Sequence, residues 1–412
     1  MKYLSLLPAL LFSLIASAQV QVRGCTDPLS NNYNPLAVVN DGSCTYNSAS
    51  VSPLSTVELP AEVVETSGLI RWGNRLVTHN DSSDTNLYVL DSITGAVTQT
   101  FPLAGVTNKD WEEIAQDDEY IYIGDFGNNS KGNRTNLRII KIEKASLEIG
   151  TTVKEEINFT YADQTDFTPK KGNKTDFDCE AMIVSQDSIY LFTKQWTGKK
   201  TALYALPKTP GMHSAQFKAT LDVDGLITGA AYMPDKQVVV LLGYSGTVQP
   251  FLYLLYDFKG HDFFSGNKRK VSLSLSFHQT EGIASSNGID YFITNENLVK
   301  SPFINVVQKL HKVSLAPYLA DYIENKPLSF IQNELRGMIR VYPAAAGGAL
   351  YIDVDPSLAG TGYSLLDLNG SELQSGTLQE RVNKINISKL PPGIYTVKVT
   401  AYPDYSYRLV KK

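Results

Sequence analysis

The 412-residue sequence has little cysteine, little histidine and no long basic run. Its three cysteines, at positions 25, 44 and 179, are too few for a scaffold built from disulfides. A net charge of −5 without a basic cluster argues against a nucleic-acid partner. The five histidines are scattered, and no His-Glu-x-x-His, Gly-x-Ser-x-Gly or phosphate-loop motif is present. These absences remove the most familiar catalytic arrangements.

Long apolar runs are also missing, apart from a short one at the start of the chain. Lys2, about a dozen apolar residues and Ala16-Ser17-Ala18 follow one another in the order of a secretory signal. The apolar stretch is shorter than the ~20 residues that a membrane-spanning helix needs. We therefore predict a signal peptide at residues 1–18 rather than a retained anchor, and a mature protein without a transmembrane segment.

Residues 24–46 read as a compact unit of turns, with no strand or helix periodicity. A disulfide between Cys25 and Cys44 would close a loop of 18 residues, which stabilises by about 3 kcal/mol in the chain-entropy picture. The unit resembles the Gly-Cys-Thr-Asp…Asn-Tyr-Asn-Pro…Asp-Gly-Ser-Cys module of exported Bacteroidetes proteins, which is sometimes compared with thrombospondin type 3 calcium repeats. Either calcium binding or simple turn formation explains its oxygen-bearing residues, Asp27, Asn32, Asn34 and Asp41. A Ser-rich linker is predicted at 47–56.

From about residue 57 to 315 one pattern recurs five times: a small or acidic residue, an apolar strand, a polar turn and further strands. The five segments begin at Glu65, Asp110, Asp178, Ile227 and Gln279. Their third residues are spaced by 45, 68, 49 and 52 positions, which is typical of β-propeller blades. A stack of sandwich domains would not explain five copies in phase. We predict an all-β chain with a five- or six-bladed propeller at 57–335, the sixth blade being assembled from the ends through Val57.

The last 73 residues resemble the type A C-terminal sorting domain of the type IX secretion system. The resemblance lies in Ile339-Arg-Val-Tyr-Pro, Leu390-Pro-Pro-Gly-Ile-Tyr and the closing Arg408-Leu-Val-Lys-Lys. One departure is that Ala344-Ala345 follows Pro343, where the family usually has Pro-Asn-Pro. The resemblance implies a small β-sandwich at 340–412, handling by the type IX secretion machinery, and passage through the periplasm to the medium or the outer-membrane surface.

Propellers place ligands at the mouth of the central channel, where the first strands converge. Glu112, Glu180 and Glu281 are third residues of three repeats, with Ser67 and Gly229 in the others. Converging carboxylates repel one another unless a cation or proton lies among them. We therefore predict a site for a polar ligand, or for calcium or another divalent cation; structural capping of strands is the alternative. The turns after the second strands add Asn80, Asp81, Asp125, Asn128, Lys194, Asn295 and Glu296.

The central region also resembles SdiA-regulated and phytase-esterase-like propellers, through Trp111-Glu-Glu-Ile-Ala, Gly124-Asp-Phe-Gly-Asn-Asn and Thr280-Glu-Gly-Ile-Ala. Related propellers with a channel-floor Glu and a divalent metal hydrolyse lactones or phosphoesters. Two hypotheses follow. One is a surface or secreted propeller that binds an extracellular ligand or partner; the alternative is a metal-dependent hydrolase of an ester, lactone or phosphoester. Cys179 is expected to be a buried thiol rather than a nucleophile.

Overall fold

A computed structural model describes residues 22–82, 84–185, 187–325, 339–343, 348–367, 370–400 and 402–411. The predicted signal peptide and Ala344-Ala345 lie outside these ranges. The chain divides into two compact units, one running to Ser314 and the other comprising Leu315 to the C-terminus together with Lys259–His261. Among the described residues, no helix is long and apolar enough to cross a bilayer.

The first unit begins with the turn-rich module and the residues expected to be a linker. The disulfide between Cys25 and Cys44 is present. Tyr46 and Tyr256 donate their hydroxyls to the same carboxylate oxygen of Asp27, which ties the module to the propeller. The strands here are β1 (Arg23–Gly24), β2 (Val39–Asn40), β3 (Ser50–Val51) and β4 (Ser55–Glu58).

Four consecutive segments each fold into a four-stranded antiparallel blade, and a fifth supplies three strands of the next blade. Blade 1 has β5 (Thr66–Trp72), β6 (Arg75–Asn80), β7 (Asn86–Leu90) and β8 (Val97–Pro102). Blade 2 has β9 (Trp111–Gln116), β10 (Tyr120–Asp125), β11 (Leu137–Glu143), the short helix α1 (Lys144–Glu148) and β12 (Lys154–Tyr161). Blade 3 has β13 (Cys179–Ser185), β14 (Ser188–Thr193), β15 (Lys200–Pro207) and β16 (Gly211–Asp222). Blade 4 has β17 (Leu226–Met233), β18 (Val238–Tyr244), β19 (Pro250–Tyr256) and β20 (Asn267–Leu273). Blade 5 has β21 (Thr280–Ser285), β22 (Asp290–Asn295), the hairpin β23 (Leu298–Lys300) and β24 (Ile304–Val306), and β25 (Lys309–Ser314). Two 3₁₀ turns, Ala61–Val63 and Pro234–Lys236, lie between strands.

The ring closes with five blades. The innermost strands β5, β9, β13, β17 and β21 contact one another in turn, and β21 contacts β5. Strand β4 pairs antiparallel with β25, so the start of the propeller supplies the outer strand of its last blade. Val57 therefore does pair with a C-terminal strand, opposite Leu310, but it completes blade 5 instead of forming a sixth. The outer strands β12 and β16 also pair, in parallel, and join blades 2 and 3 into one eight-stranded sheet.

The hydrophobic core lies between neighbouring blades. Where both faces of a strand are covered by neighbouring blades, the strand is a nearly continuous apolar run, as in β18, the second strand of blade 4, in which every residue from Val238 to Tyr244 is buried. Blades 1 and 2 bury Trp111 and Ile121 between them, and blades 3 and 4 bury Phe192 and Phe263. Each fully buried aliphatic side chain contributes about 1.5–3 kcal/mol. Packing of this kind makes the inner ring a rigid frame for polar groups at its ends.

The second unit contains the helix α2 (Ala316–Asn325) and a seven-stranded sandwich. One sheet has the order β26-β27-β30 and the other β29-β28-β31-β32, and both bury apolar residues in one shared core, including Leu350, Leu365 and Val397. The elements are β26 (Ile339–Pro343), β27 (Ala349–Val354), a 3₁₀ turn (Pro356–Leu358), β28 (Gly362–Leu366), β29 (Glu372–Thr377), β30 (Val382–Asn386), β31 (Gly393–Val399) and β32 (Tyr402–Lys411). The predicted fold, a propeller followed by a small β-sandwich, is confirmed.

Candidate functional site

A β-bulge in each innermost strand positions the residues at one end of the channel. In blade 2 the pairing passes from Trp111 to Glu113 and omits Glu112, and in blade 3 it omits Glu180 in the same way. The bulge interrupts the alternation of side chains between the two faces of the sheet and changes the direction in which the extra side chain points. In blade 4 the omitted residue is Thr228. The sequence alignment that put Gly229 at this position is therefore wrong by one residue.

The residue after the bulge is small in four blades and acidic in one. Gly68, Ala181, Gly229 and Gly282 occupy this position, whereas blade 2 has Glu113. The Glu113 side chain is fully buried, and its carboxylate accepts backbone N–H groups of Ile114 at 3.0 Å and Ala230 at 2.9 Å. It thus fills space that the small residues leave open and links blade 2 to blade 4 across the ring.

Two groups of carboxylates meet at Glu112. In the first, oxygens of Asp81, Asp110 and Glu112 all lie within 4.8 Å of one another; in the second, the same holds for Glu112, Asp178 and Glu180. At this distance two ionised carboxylates repel by about 3–4 kcal/mol at an effective dielectric constant of about 20. Three ionised acids in one group would therefore cost about 10 kcal/mol, comparable to the whole stability of a domain. Each group needs a cation or a proton.

Burial further disfavours the ionised form of these acids. Glu112 and Glu281 are more than nine-tenths buried, and neither carboxylate accepts a hydrogen bond from any residue that the structure describes. Burial and the neighbouring acids raise the pKa of Asp81 to about 7 and that of Glu281 to about 8. Burial also raises the pKa of Asp110 to about 6. The pKa values of the remaining acids are raised in the same direction, again chiefly by burial: Glu112, Asp178, Glu180 and Glu296.

Lys194 provides a positive charge inside this cluster. It is 3% exposed, and its ammonium contacts the carboxylate of Glu180. Burial alone would lower the pKa of Lys194, but Glu180 and the other acids around it raise it above its usual value. The ammonium also lies 4.8 Å from the ring centroid of Trp196 and 5.1 Å from that of Tyr244. Lys194 is therefore a charged lysine held in place from several sides.

Arg134 places a second positive charge beside the acidic cluster. Arg134 lies 3.7 Å from Asp110 but is closer to Asp125, at 2.9 Å. Asp125 is almost fully buried and also pairs with Arg138 at 2.8 Å. The two arginines thus neutralise Asp125 and attach the following loop to blade 2. Asp110 receives only the weaker part of this interaction.

The structure separates the ten predicted mouth residues into two sets. Six lie in or beside the acidic cluster, where the pKa of each is shifted by the charge of at least one other member: Asp81, Glu112, Glu180, Lys194, Glu281 and Glu296. The other four have their polar groups engaged in structural bonds. Asn80 binds Glu62 and Asp84, Asp125 binds the arginines, Asn128 binds Phe177 and Arg134, and Asn295 binds His311 and Val307.

Two acids of the cluster were not among the predicted site residues. Asp110 and Asp178 open the second and third repeats, so the recurring acidic first residue was a usable signal. Asp178 accepts the backbone N–H of Asn128 at 2.6 Å and the indole N–H of Trp196 at 2.7 Å. These two bonds hold its carboxylate toward Glu112 and Glu180.

The predicted oxygen ligands of the N-terminal module have other contacts. Asp27 accepts hydrogen bonds through both carboxylate oxygens, and Asn32 bonds to Ser43 and Thr45. Asn34 and Asp41 each cap a backbone N–H two residues ahead. These contacts account for all four residues as turn formers. Calcium binding by the module stays a prediction.

The buried thiol and the buried histidines are poor catalysts. Cys179 is fully buried, and burial raises its pKa above the ordinary value. Burial lowers the pKa of His79 to about 4 and that of His311 to about 3, so both are neutral near pH 7. His311 hydrogen-bonds to Thr56 and Asn295, both at 2.9 Å, and so joins the closing strand β4 to blade 5.

Comparison with known proteins identifies the C-terminal part of the chain. Residues 340–412 match the family of secretion system C-terminal sorting domains. The predicted sorting domain is thereby confirmed, and it indicates export by the type IX secretion system to the cell surface or the medium. No curated protein is significantly similar to the chain in sequence.

Several solved structures are distantly similar to it. The PQQ-bound aldose sugar dehydrogenase of Streptomyces coelicolor is 12% identical, with a TM-score of 0.39 over 64% of this chain and 98% of the other. PorZ, a surface component of the type IX secretion system of Porphyromonas gingivalis, is 13% identical, with a TM-score of 0.28 over 84% of this chain and 44% of the other. U3-55K is 8% identical, with a TM-score of 0.33 over 62% and 98%. Similarity at this level says nothing about function.

Proposed function

We propose that this exported propeller binds a divalent cation at its channel mouth and, through that cation, an extracellular ligand with oxygen donors. Asp81, Asp110 and Glu112 are the proposed ligands of the ion. The observation that carries the proposal is the Glu112 carboxylate, which is more than nine-tenths buried, shared by both acidic groups and without a hydrogen-bond or ion-pair partner among the described residues.

The first acidic group suits a cation better than the second. Lys194 already contacts Glu180 in the second group, and two N–H groups bind Asp178. In the first group, Asp81 has a buried carboxylate oxygen without a hydrogen-bond partner. A divalent cation there would attract all three carboxylates and so offset the repulsion among them.

The donor set indicates the kind of ion. All three side chains offer carboxylate oxygens, which hard cations such as Ca²⁺ and Mg²⁺ prefer. Ca²⁺ takes six to eight oxygen ligands in proteins, more than three carboxylates provide unless all bind in a bidentate manner. The remaining positions are available to water or to oxygens of a bound ligand. Mg²⁺ demands stricter octahedral geometry, so we expect Ca²⁺ to bind more tightly.

A second candidate function, hydrolysis of an ester, lactone or phosphoester, is favoured by the position of Lys194. A bound cation would polarise the ester oxygen and supply an activated water. The ammonium of Lys194, beside the same cluster, would then stabilise developing negative charge. Glu112, Glu180 and Glu281 are the residues that the sequence predicts for a cation site, whereas the grouping of carboxylates around Glu112 favours Asp81 and Asp110 over Glu180 and Glu281.

Calorimetric titration of the purified protein with CaCl₂ tests the binding function. We expect saturable binding that Glu112→Gln abolishes and that Glu119→Gln, an exposed substitution in the same blade, leaves unchanged. Absence of binding to the wild-type protein at millimolar Ca²⁺ would overturn the proposal. A chromogenic ester and phosphoester panel, run in parallel, separates the two functions, since Ca²⁺-dependent turnover that Glu112→Gln eliminates would favour the hydrolase.

A further inference from the structure

We propose that Lys194 is a specificity-determining residue that occupies the second acidic group as a built-in cation and thereby limits the mouth to one divalent ion. This inference rests on the proposed cation site. Without Lys194, the group formed by Glu112, Asp178 and Glu180 would bind a second ion.

The two acidic groups are alike in geometry and differ in their charge balance. Each contains three carboxylates within 4.8 Å of one another, and both include Glu112. Glu180 in the second group contacts the Lys194 ammonium, and both side chains are nearly inaccessible to solvent. No lysine or arginine of the described chain forms an ion pair with Asp81 or Glu112. The ammonium of Lys194 thus neutralises a buried carboxylate inside the second group, whereas the first group has only the 3.7 Å ion pair between Asp110 and Arg134, an arginine that lies closer to Asp125.

Backbone and aromatic contacts fix the ammonium at this place. The backbone N–H of Lys194 donates to the carbonyl of Asp178 at 2.8 Å, so the lysine starts beside the group that it neutralises. Its ammonium then lies near the faces of Trp196 and Tyr244. Cation–π attraction of this kind contributes about 2 kcal/mol where water is excluded. The lysine is therefore not a mobile side chain that a metal ion displaces at little cost.

Comparison of the five blades shows that only blade 3 has a lysine at this position. In each blade the residue before the bulge pairs with a residue of the second strand, and the next residue along the chain is Asp81, Phe126, Lys194, Tyr244 and Glu296 in blades 1 to 5. Blades 1 and 5 have an acid at this position, and blade 3 alone has a base. An acid near the mouth in blade 3 would extend the acidic ring, whereas Lys194 divides it into a neutralised half and a cation-binding half.

Calorimetry with CaCl₂ on the full chain tests the role of Lys194. Methionine has a similar length and keeps the packing against the two aromatic rings, so Lys194→Met removes little besides the charge. We expect one Ca²⁺ per wild-type chain, two per Lys194→Met chain and one per Lys194→Arg chain. A Lys194→Met protein that binds no more ions than the wild type overturns the inference.

A second variant keeps the inference testable if Lys194→Met does not fold. Glu180→Gln removes a carboxylate of the second group and none of the first, so it should leave one Ca²⁺ bound with a Kd within about threefold of the wild type. Loss of Ca²⁺ binding in this variant would place the ion in the second group and refute the role of Lys194. If the wild type binds no ion but Lys194→Met binds one, the proposed function fails while the inference about Lys194 stands. If neither binds an ion, both fail.

Discussion

Glu112→Gln is expected to change stability in opposite directions with and without Ca²⁺. The substitution preserves the shape of the side chain and removes the charge that both acidic groups share. Without metal at pH 8, it eliminates two of the three repulsive pairs in the first group, each about 3–4 kcal/mol when fully ionised. Because the acids partly escape repulsion by holding protons, as their raised pKa values indicate, we expect a gain of about 1–3 kcal/mol.

With Ca²⁺ the order reverses. At a Ca²⁺ concentration 100 times the Kd, binding stabilises the wild-type protein by about 2.7 kcal/mol, or a rise in Tm of about 5–10 °C for a unit of this size. The variant should gain less than about 1 kcal/mol. Thermal unfolding in EDTA and in CaCl₂ measures both effects, with Glu119→Gln as the control that should follow the wild type. A Glu112→Gln protein that is stabilised by Ca²⁺ as strongly as the wild type would refute the reasoning.

Three further predictions concern the propeller as a whole. Burial lowers the pKa of His79 to about 4 and that of His311 to about 3, whereas a histidine of the unfolded chain has a pKa near 6.5, so the unfolded chain binds more protons between these values. Their contribution to stability is therefore lost as the pH falls through about 6.5 toward the folded pKa values, by up to about 1.4 kcal/mol per pH unit and histidine. The raised pKa values of Glu113 and Glu281 act in the opposite direction, so the contribution is measured in denaturant titrations as the difference between the wild type and His311→Gln, and a difference that stays constant from pH 6.5 to 5 would contradict it. Gly282→Ala places a Cβ 2.5 Å from a backbone oxygen of blade 1 and should lower the free energy of unfolding by about 1–3 kcal/mol. The midpoint of urea unfolding measures this loss, and Gly246→Ala, whose Cβ would lie in open space, should leave that midpoint unchanged. Replacing both disulfide cysteines by serine should lower the stability by about 3 kcal/mol, and an unchanged Tm would show that the module contributes nothing to the propeller.

The propeller was predictable because its repeat is visible residue by residue. Each blade repeats a polar or acidic residue, an apolar strand and a polar turn, and these recur in phase from Glu65 to Glu296. The sequence does not decide between five and six blades, since no local pattern shows that Val57 pairs with Leu310, 253 residues later. That pairing depends on closure of the whole ring.

Blade 4 shows where alignment by residue type fails. Its inner strand begins Leu226-Ile-Thr-Gly, with no acid to mark the bulge, so Gly229 was matched to Glu112 although Thr228 takes that position. A bulge is defined by strand pairing, and a shift of one residue exchanges the positions on either side of it.

The candidate site was predictable in outline only. The acids in the bulge position converge at the channel mouth as expected. Asp110 and Asp178 lie beside them because each directly precedes a bulged strand. The sequence gives no reason to leave four of the predicted residues out of the site: Asn80, Asp125, Asn128 and Asn295. Their partners, such as Arg134 for Asp125 and His311 for Asn295, come from other segments that only the fold brings near.

The most direct test of the central claim is a crystal structure of the protein grown with Mn²⁺, a hard divalent cation whose anomalous scattering locates it. We expect one anomalous peak at the channel mouth, bounded by carboxylate oxygens of Asp81, Asp110 and Glu112, with Lys194 still in contact with Glu180. Absence of a peak at the mouth at saturating Mn²⁺ would contradict the proposed cation site, as would a peak between Asp178 and Glu180 with Lys194 displaced.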